Sequence, residues 1–281
     1  MFVASCTVLP NRITNENFRK SVDTFCNHPS IDRVIIHYPK TCKRLQQPYP
    51  EPPSWMQTSF KVQVNMCEDL GPVTKVAPLL DLFDASNTDV GVILFDDDRL
   101  YHYQWIDELI IAFQAHNRLA AVGRHGSLHK FLPFQYDTFN MTHEDEPFLS
   151  IKTTFGSIYP LSALPSSSVE AVDFVTKYEN YGSMTNDDMM LAAWCYRTQT
   201  PIYVITTSTE MMQQWNACNK GVNDDVSLSE IQYHVPKQLR LASAMIAQGD
   251  FPCPWPDISC IIGVTILFIM LLILLLSMLR V

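Results

Sequence analysis

The sequence predicts an α/β fold built on a mostly parallel central sheet, and three observations carry that prediction. Residues 2–9 and 33–38 are apolar, β-branched runs, and residues 14–26 between them place Phe18, Val22 and Phe25 at helical spacing, which makes a β-α-β unit. Residues 90–95 form an uninterrupted apolar run, the pattern of a strand buried on both faces. That run passes directly into Asp96, Asp97 and Asp98. A buried strand excludes charge, so the three carboxylates belong just beyond its carboxyl end, the edge where open α/β sheets bind ligands.

With 281 residues and a formal net charge of −9, the chain is long enough for one large domain with a sizeable core. The acidic balance, with no basic stripe, argues against nucleic acid as the main partner. A small anionic substrate would have to be held locally, through a metal and a few cations. The eight cysteines form neither a C-x-x-C pair nor a zinc-type spacing and read as reduced and buried. Residues 1–6 have no basic region and no long apolar core, so no signal peptide is expected.

Taken in order, the first strand ends at Pro10, Asn11 and Arg12, a turn into the helix over 14–26. Thr14 or Asn15 caps that helix and Pro29 stops it. The second strand closes at Pro39, residues 47–53 form a proline-rich loop, and the alternation over 61–65 predicts a third strand. Gly71 and Pro72 force a turn, after which residues 73–83 predict a helix disturbed by Pro78. A glycine turn opening a helix presents free N–H groups, and with Lys75 in the first turn it can hold a phosphate; an ordinary turn with a surface lysine has the same spacing.

Beyond the acids, residues 103–116 predict a helix with Trp105, Leu109, Ile110 and Phe113 on one face. Residues 120–123 predict a short strand, and 124–150 an irregular excursion over the site. Residues 153–160 predict a strand interrupted by Gly156, which either admits a close ligand or marks a bulge. Helices follow over 168–178 and 189–196, the second with Asp187 and Asp188 at its N-terminus, where the helix dipole favours a carboxylate. Residues 201–206 predict the last strand. Residues 216–248 are polar, with one helix near 236–247 preceded by His234.

Residues 258–279 hold 22 residues without a charge. At 1.5 Å per residue they cover about 33 Å, which predicts a single C-terminal transmembrane helix. The expected organisation is a domain over 1–248, a proline-rich linker over 249–257 with Trp255 at the membrane boundary, and this helix as a tail anchor. The domain would then face the cytosol. The sequon Asn140, Met141, Thr142 would mark the opposite side if used, and it is discounted.

Three adjacent carboxylates repel unless a cation or solvent relieves them. Mg²⁺ or Mn²⁺ prefers oxygen ligands and bridges carboxylate to phosphate. A solvated acidic turn, with Asp98 capping the next helix, has the same sequence.

Four stretches in this order resemble a known family. Ser5-Cys6-Thr7-Val8-Leu9-Pro10-Asn11-Arg12 resembles the first-strand T-x-x-P-x-R segment of certain GT-A-fold glycosyltransferases. Glu68-Asp69-Leu70-Gly71-Pro72-Val73-Thr74-Lys75 is similar to their D-Y-G-P-x-T-K segment, with Leu70 in place of the aromatic. Asp96-Asp97-Asp98 followed by Tyr101 resembles their DxD strand end, and Asn186-Asp187-Asp188 resembles the acidic pair that opens a late helix. The set covers roughly residues 3–235 and is similar to glycosyltransferases of large DNA viruses (chlorovirus-type), algae and bacteria.

The resemblance implies a GT-A-like, Rossmann-like domain that moves a sugar from a UDP-, GDP- or TDP-linked donor to a glycan or glycoprotein acceptor. It implies Mn²⁺ or Mg²⁺ held by Asp96 and Asp98, with His234 as a further ligand. Arg12, Gly71, Lys75, Asp96 and Asp97 would contact the nucleotide or its phosphates. Asp187 or Asp188 would be the general base, with inversion at the anomeric centre. Leu70 puts any stacking role at that position in doubt.

The chemistry of sugar transfer agrees, since it needs a neutralised leaving diphosphate and a base near the acceptor hydroxyl. A phosphotransferase with an aspartate nucleophile is disfavoured by Arg99-Leu100-Tyr101 after the acids. The other alternative is an inactive, membrane-anchored sugar-nucleotide-binding or scaffold relative. The transferase reading requires Asp96–98 and Asp187–188 to converge on one cleft.

Overall fold

The first β-α-β unit forms as the apolar spacing requires. In the computed structural model, β1 (Phe2–Thr7) and β2 (Arg33–Pro39) pair in parallel across α1 (Glu16–Asn27), which Asn15 caps through the N–H of Asn17. The structure describes residues 1–84, 87, 89–130, 135–139, 143, 144, 149–220 and 234–251, with 127–149 and 234–239 described by backbone. A hairpin of β3 (Thr41–Cys42) and β4 (Gln47–Pro48) and the short α2 (Ser54–Thr58) occupy the proline-rich stretch. Then come β5 (Val62–Cys67), β6 (Gly91–Leu94), α3 (Tyr103–Ala115) and β7 (Ala121–Gly123).

The stretch predicted to be irregular contains β8 (Gly126–Lys130), β9 (Gln135–Phe139), β10 (His143–Glu144) and β11 (Leu149–Ile151). β11, β8 and β9 form a small antiparallel sheet of their own, in that order. The chain continues with β12 (Ser157–Pro160), α4 (Ser168–Lys177), α5 (Asp187–Arg197), β13 (Ile202–Val204), α6 (Thr209–Asn219) and α7 (His234–Ala247).

The central sheet has the order β10-β13-β7-β12-β6-β1-β2-β5. β6, β1, β2 and β5 run parallel, as do β7 and β13; β12 and β10 run against their neighbours. The period of two along each strand divides the core between the two faces. Val3, Ile35, Val92, Leu94 and Tyr159 join the cluster that includes α4, α5 and α7. Ala4, Ile36, Ile93, Val122 and Ile158 join the cluster that includes α1, α3 and α6. The expected mixed α/β class with a mostly parallel central sheet is therefore present.

Some elements differ from expectation. The helix predicted over 73–83 is two 3₁₀ segments, Val73–Lys75 and Ala77–Leu82, because Pro78 lacks the N–H an α-helix would need. The strand predicted over 153–160 begins with a 3₁₀ turn, Thr153–Phe155, and Gly156 with φ of 79° reverses the chain into β12. α6 was not expected: it begins at Thr209, where no element was predicted, and ends within the stretch read as polar.

The membrane anchor is corrected. Among the described residues no helix is long and apolar enough to cross a membrane, and the expected span 258–279 lies outside the described residues. The tail-anchored placement, and the cytosolic orientation derived from it, are therefore not supported by the described residues. The start of the expected linker packs on the domain: Asp250 accepts from Lys177 Nζ and Tyr178 Oη at 2.6 Å each, and Phe251 is buried. The sequon at 140–142 also lies outside the described residues.

Candidate active site

Gly71 joins the two segments that carry most of the site. Its φ is 66°, and a Cβ there would lie 2.0 Å from the carbonyl oxygen of Met184, so a side chain does not fit. Asp69 holds the turn by accepting from Gly71 N at 2.8 Å and Lys43 N at 2.7 Å. Thr74 Oγ1 accepts from Leu70 N at 2.7 Å. The turn delivers Lys75, while Met184 lies in the 3₁₀ turn Ser183–Thr185 that feeds α5 with Asp187 and Asp188 in its first turn. Asn186 caps α5, its Oδ1 accepting from Met189 N at 3.2 Å.

Lys75 stands between the two acidic groups. Its Nζ pairs with Asp96 Oδ1, lies 2.9 Å from Asp187 Oδ2 and donates to Thr153 Oγ1 at 3.2 Å. Burial alone would lower its pKa, but Asp187 and Asp96 outweigh burial and hold the ammonium well above its ordinary range. Thr153 Oγ1 lies 2.9 Å from Asp187 Oδ2 and 3.2 Å from Asp188 Oδ1, and Thr153 N donates to Asp188 Oδ1 at 3.0 Å. Lys152 Nζ is 3.1 Å from Asp188 Oδ2, and Thr154 Oγ1 donates to Asp96 Oδ2 at 2.9 Å. Lys152, Thr153 and Thr154 were not singled out from the sequence. Their only signal there was the glycine that follows them, which marked a close approach without saying what approaches.

The three acids at the end of β6 diverge. Asp96 faces Lys75, and its backbone N–H donates to Tyr101 Oη at 3.0 Å. Asp97 turns inward, accepting from Arg12 Nη1 at 2.7 Å and Leu9 N at 2.8 Å. Asp98 Oδ2 lies 3.3 Å from Arg12 Nη1. Burial pushes Asp97 up to about 6, against the pull of Arg12 and with Asp98 adding to the rise. Asp98 is raised first by burial and then by Asp96. Arg12 therefore organises the acid cluster from beneath.

These side chains line one cleft of about 420 Å³, within the usual ~300–1,000 Å³ for small-molecule sites. Arg12, Gly71, Lys75, Asp96, Asp97, Asp98, Asp187 and Asp188 all contribute to its wall. His234 begins α7, and its side chain lies outside what is described.

Among the described residues no group of three or more His, Cys, Asp and Glu is placed to hold a metal. Asp96 and Asp98 both line the cleft, with side chains 21% and 14% exposed. Mg²⁺ is commonly held by one or two carboxylates and completes its shell with water and substrate phosphate. The two carboxylates fit that kind of ion, and not one enclosed by protein ligands.

No protein-family model matches the chain, and no curated protein matches it. Among solved structures, the chain is similar to the 2-C-methyl-D-erythritol 4-phosphate cytidylyltransferase of Francisella tularensis at 13% identity and a TM-score of 0.42, over 74% of this chain and 90% of that one. It is similar to a 4-diphosphocytidyl-2C-methyl-D-erythritol synthase at 12% identity and a TM-score of 0.42, over 74% of this chain and 88% of that one. Likeness at this level supports no inference about chemistry.

Proposed function

We propose that this chain is a transferase acting on a nucleotide-activated sugar, which it moves to an acceptor hydroxyl in the cleft. One observation supports the reading above all: two carboxylate groups far apart in the chain line one cleft, joined through Lys75 and Thr153. Sugar transfer needs that pairing, with charge control at the leaving diphosphate and a base at the acceptor. The donor would be UDP-, GDP- or TDP-linked and the acceptor a glycan or glycoprotein.

In this reading Asp188 takes the acceptor proton as the hydroxyl oxygen attacks the anomeric carbon. The bond from that carbon to the diphosphate oxygen breaks, with inversion. Asp187 is engaged by Lys75 and orients the pair. Asp96 and Asp98 would hold Mg²⁺ or Mn²⁺, which supplies Lewis-acid neutralisation of the diphosphate when bound. Arg12 keeps Asp97 and Asp98 in place, and Lys75 keeps Asp96 and Asp187 at a fixed separation. A second reading, a nucleotide-binding relative without turnover, is favoured by the pairing of these acids with protein cations.

The test incubates the full chain with Mn²⁺ and a panel of UDP-, GDP- and TDP-sugars, following donor hydrolysis alongside nucleoside diphosphate titration. One donor class is expected to be hydrolysed. Asp188→Asn should keep nucleotide affinity within about threefold while losing at least ~100-fold in turnover. Asp98→Ala should lose the metal-dependent part of that affinity. Nucleotide affinity without hydrolysis supports the binding reading instead. Silence across the panel, with no metal-dependent thermal shift, overturns both.

A further inference from the structure

Behind the cleft, three polar side chains cross the sheet interior where the proposed chemistry does not use them. Ser5 lies on β1, His37 on β2 and Asn65 on β5, three adjacent parallel strands. Ser5 and His37 are fully buried. Asn65 Nδ2 is 3.1 Å from His37 Nδ1, His37 Nε2 is 3.0 Å from Ser5 Oγ, and Ser5 Oγ is 2.6 Å from the backbone oxygen of Lys75.

The donor inventory leaves this chain one direction. The Lys75 carbonyl can only accept, so Ser5 donates its single hydrogen there. Ser5 then has only lone pairs for His37, so Nε2 carries the ring hydrogen. Nδ1 is left bare and accepts from the Asn65 amide, which also reaches the Pro78 carbonyl at 3.4 Å.

We propose that Asn65, His37 and Ser5 form a one-way hydrogen-bond relay that positions Lys75, so that its ammonium spans Asp96 and Asp187. Burial lowers the His37 pKa to about 3, so the ring is neutral at working pH, as the relay requires. Core packing does not call for such a chain, since apolar residues of similar size would fill the space without needing partners. The side-chain relay ends on the last residue of the turn Val73–Lys75, and the His37 backbone also accepts from Thr7 Oγ1 at 3.2 Å. Ser5, His37 and Asn65 are positioning residues and touch no substrate. Only the kinetic readout below rests on the sugar-transfer reading.

The experiment is ¹⁵N NMR on the full chain. His37 is expected as the neutral Nε2–H tautomer down to about pH 5, well below where an ordinary histidine titrates. The Lys75 ammonium should give a slowly exchanging signal, identified by its loss in Lys75→Arg. Ser5→Ala and His37→Phe are expected to shift or abolish that signal. His37→Gln keeps a side-chain N–H toward Ser5 and is expected to retain it.

In donor turnover, Ser5→Ala and His37→Phe should lower kcat at least about tenfold with donor KM within about threefold, and His37→Gln should recover most of the loss. An unchanged Lys75 signal in Ser5→Ala overturns the proposal, even with a lowered melting temperature, and so does an Nδ1–H tautomer. If no donor turns over, the sugar-transfer reading fails on its own and the spectra still decide the relay. If His37→Phe does not fold, Ser5→Ala carries the test.

Discussion

Arg12 shows how one residue's position decides the roles of three others. Its guanidinium is almost wholly buried, and Nη1 lies 2.7 Å from Asp97 and 3.3 Å from Asp98. Arg12→Ala leaves Asp97 buried without its charge partner, so a loss of about 3–5 kcal/mol is expected in urea unfolding. The acids were legible in the sequence as a charged strand end. Their divergence was not, because the inward turn of Asp97 depends on an arginine from the loop after β1. Lys75 was legible as a cation near the acids, but its place between two acidic groups depends on residues 153 and 187. At His37 the folded pKa of about 3 lies below the unfolded value, so lowering the pH protonates the unfolded chain first. Stability should therefore fall as pH drops from about 6.5 toward 3, by about 2 kcal/mol at pH 5. Denaturant titrations of the wild type and His37→Gln check this, the variant being expected to lose that part of the slope.

Among the elements, α3 was the most legible because its apolar face repeats at helical spacing. Trp105 on that face is buried, stacks on Trp215 of α6 at 4.5 Å and donates from Nε1 to the Phe155 carbonyl at 2.6 Å. Trp105→Ala should cost about 3–5 kcal/mol, read from the denaturation midpoint. It should also loosen the turn Thr153–Phe155, and so lower activity beyond the loss of folded protein. β1, β2, β5 and β6 were legible as well, since long apolar or alternating runs report burial directly. The antiparallel course of β12 was not. A short strand carries no mark of its direction, which only its pairing with β6 and β7 shows. The small sheet over 126–151 was missed because its sequence is mixed and polar, and pairing between its strands, not hydrophobic period, creates it.

At the scale of the molecule, the site lies where two halves of the chain meet. One half supplies β6, β1, β2 and β5 with Lys75 and Asp96; the other supplies α5 and the turn before β12. At Gly71 the backbone of one half lies against the Met184 carbonyl of the other, with no room for a Cβ. Gly71→Ala should therefore destabilise by more than the ~1–2 kcal/mol of a left-handed residue alone. The accompanying observation should be weaker nucleotide binding in the variant that remains folded at low temperature. The convergence of the acids could be posed from the sequence only as a requirement, because it is a property of the topology. That same topology sets an order of events during synthesis. β6 has its β1 partner upstream in the chain, but the strand that covers its other flank, β12, follows only after α3, β7 and the small sheet. A nascent chain halted before residue 157 exposes Val92, Ile93 and Leu94 along an unpaired border, where another polypeptide can add itself. Slowing translation over that interval should thus favour clumped product, whereas a pause after β12 should be harmless.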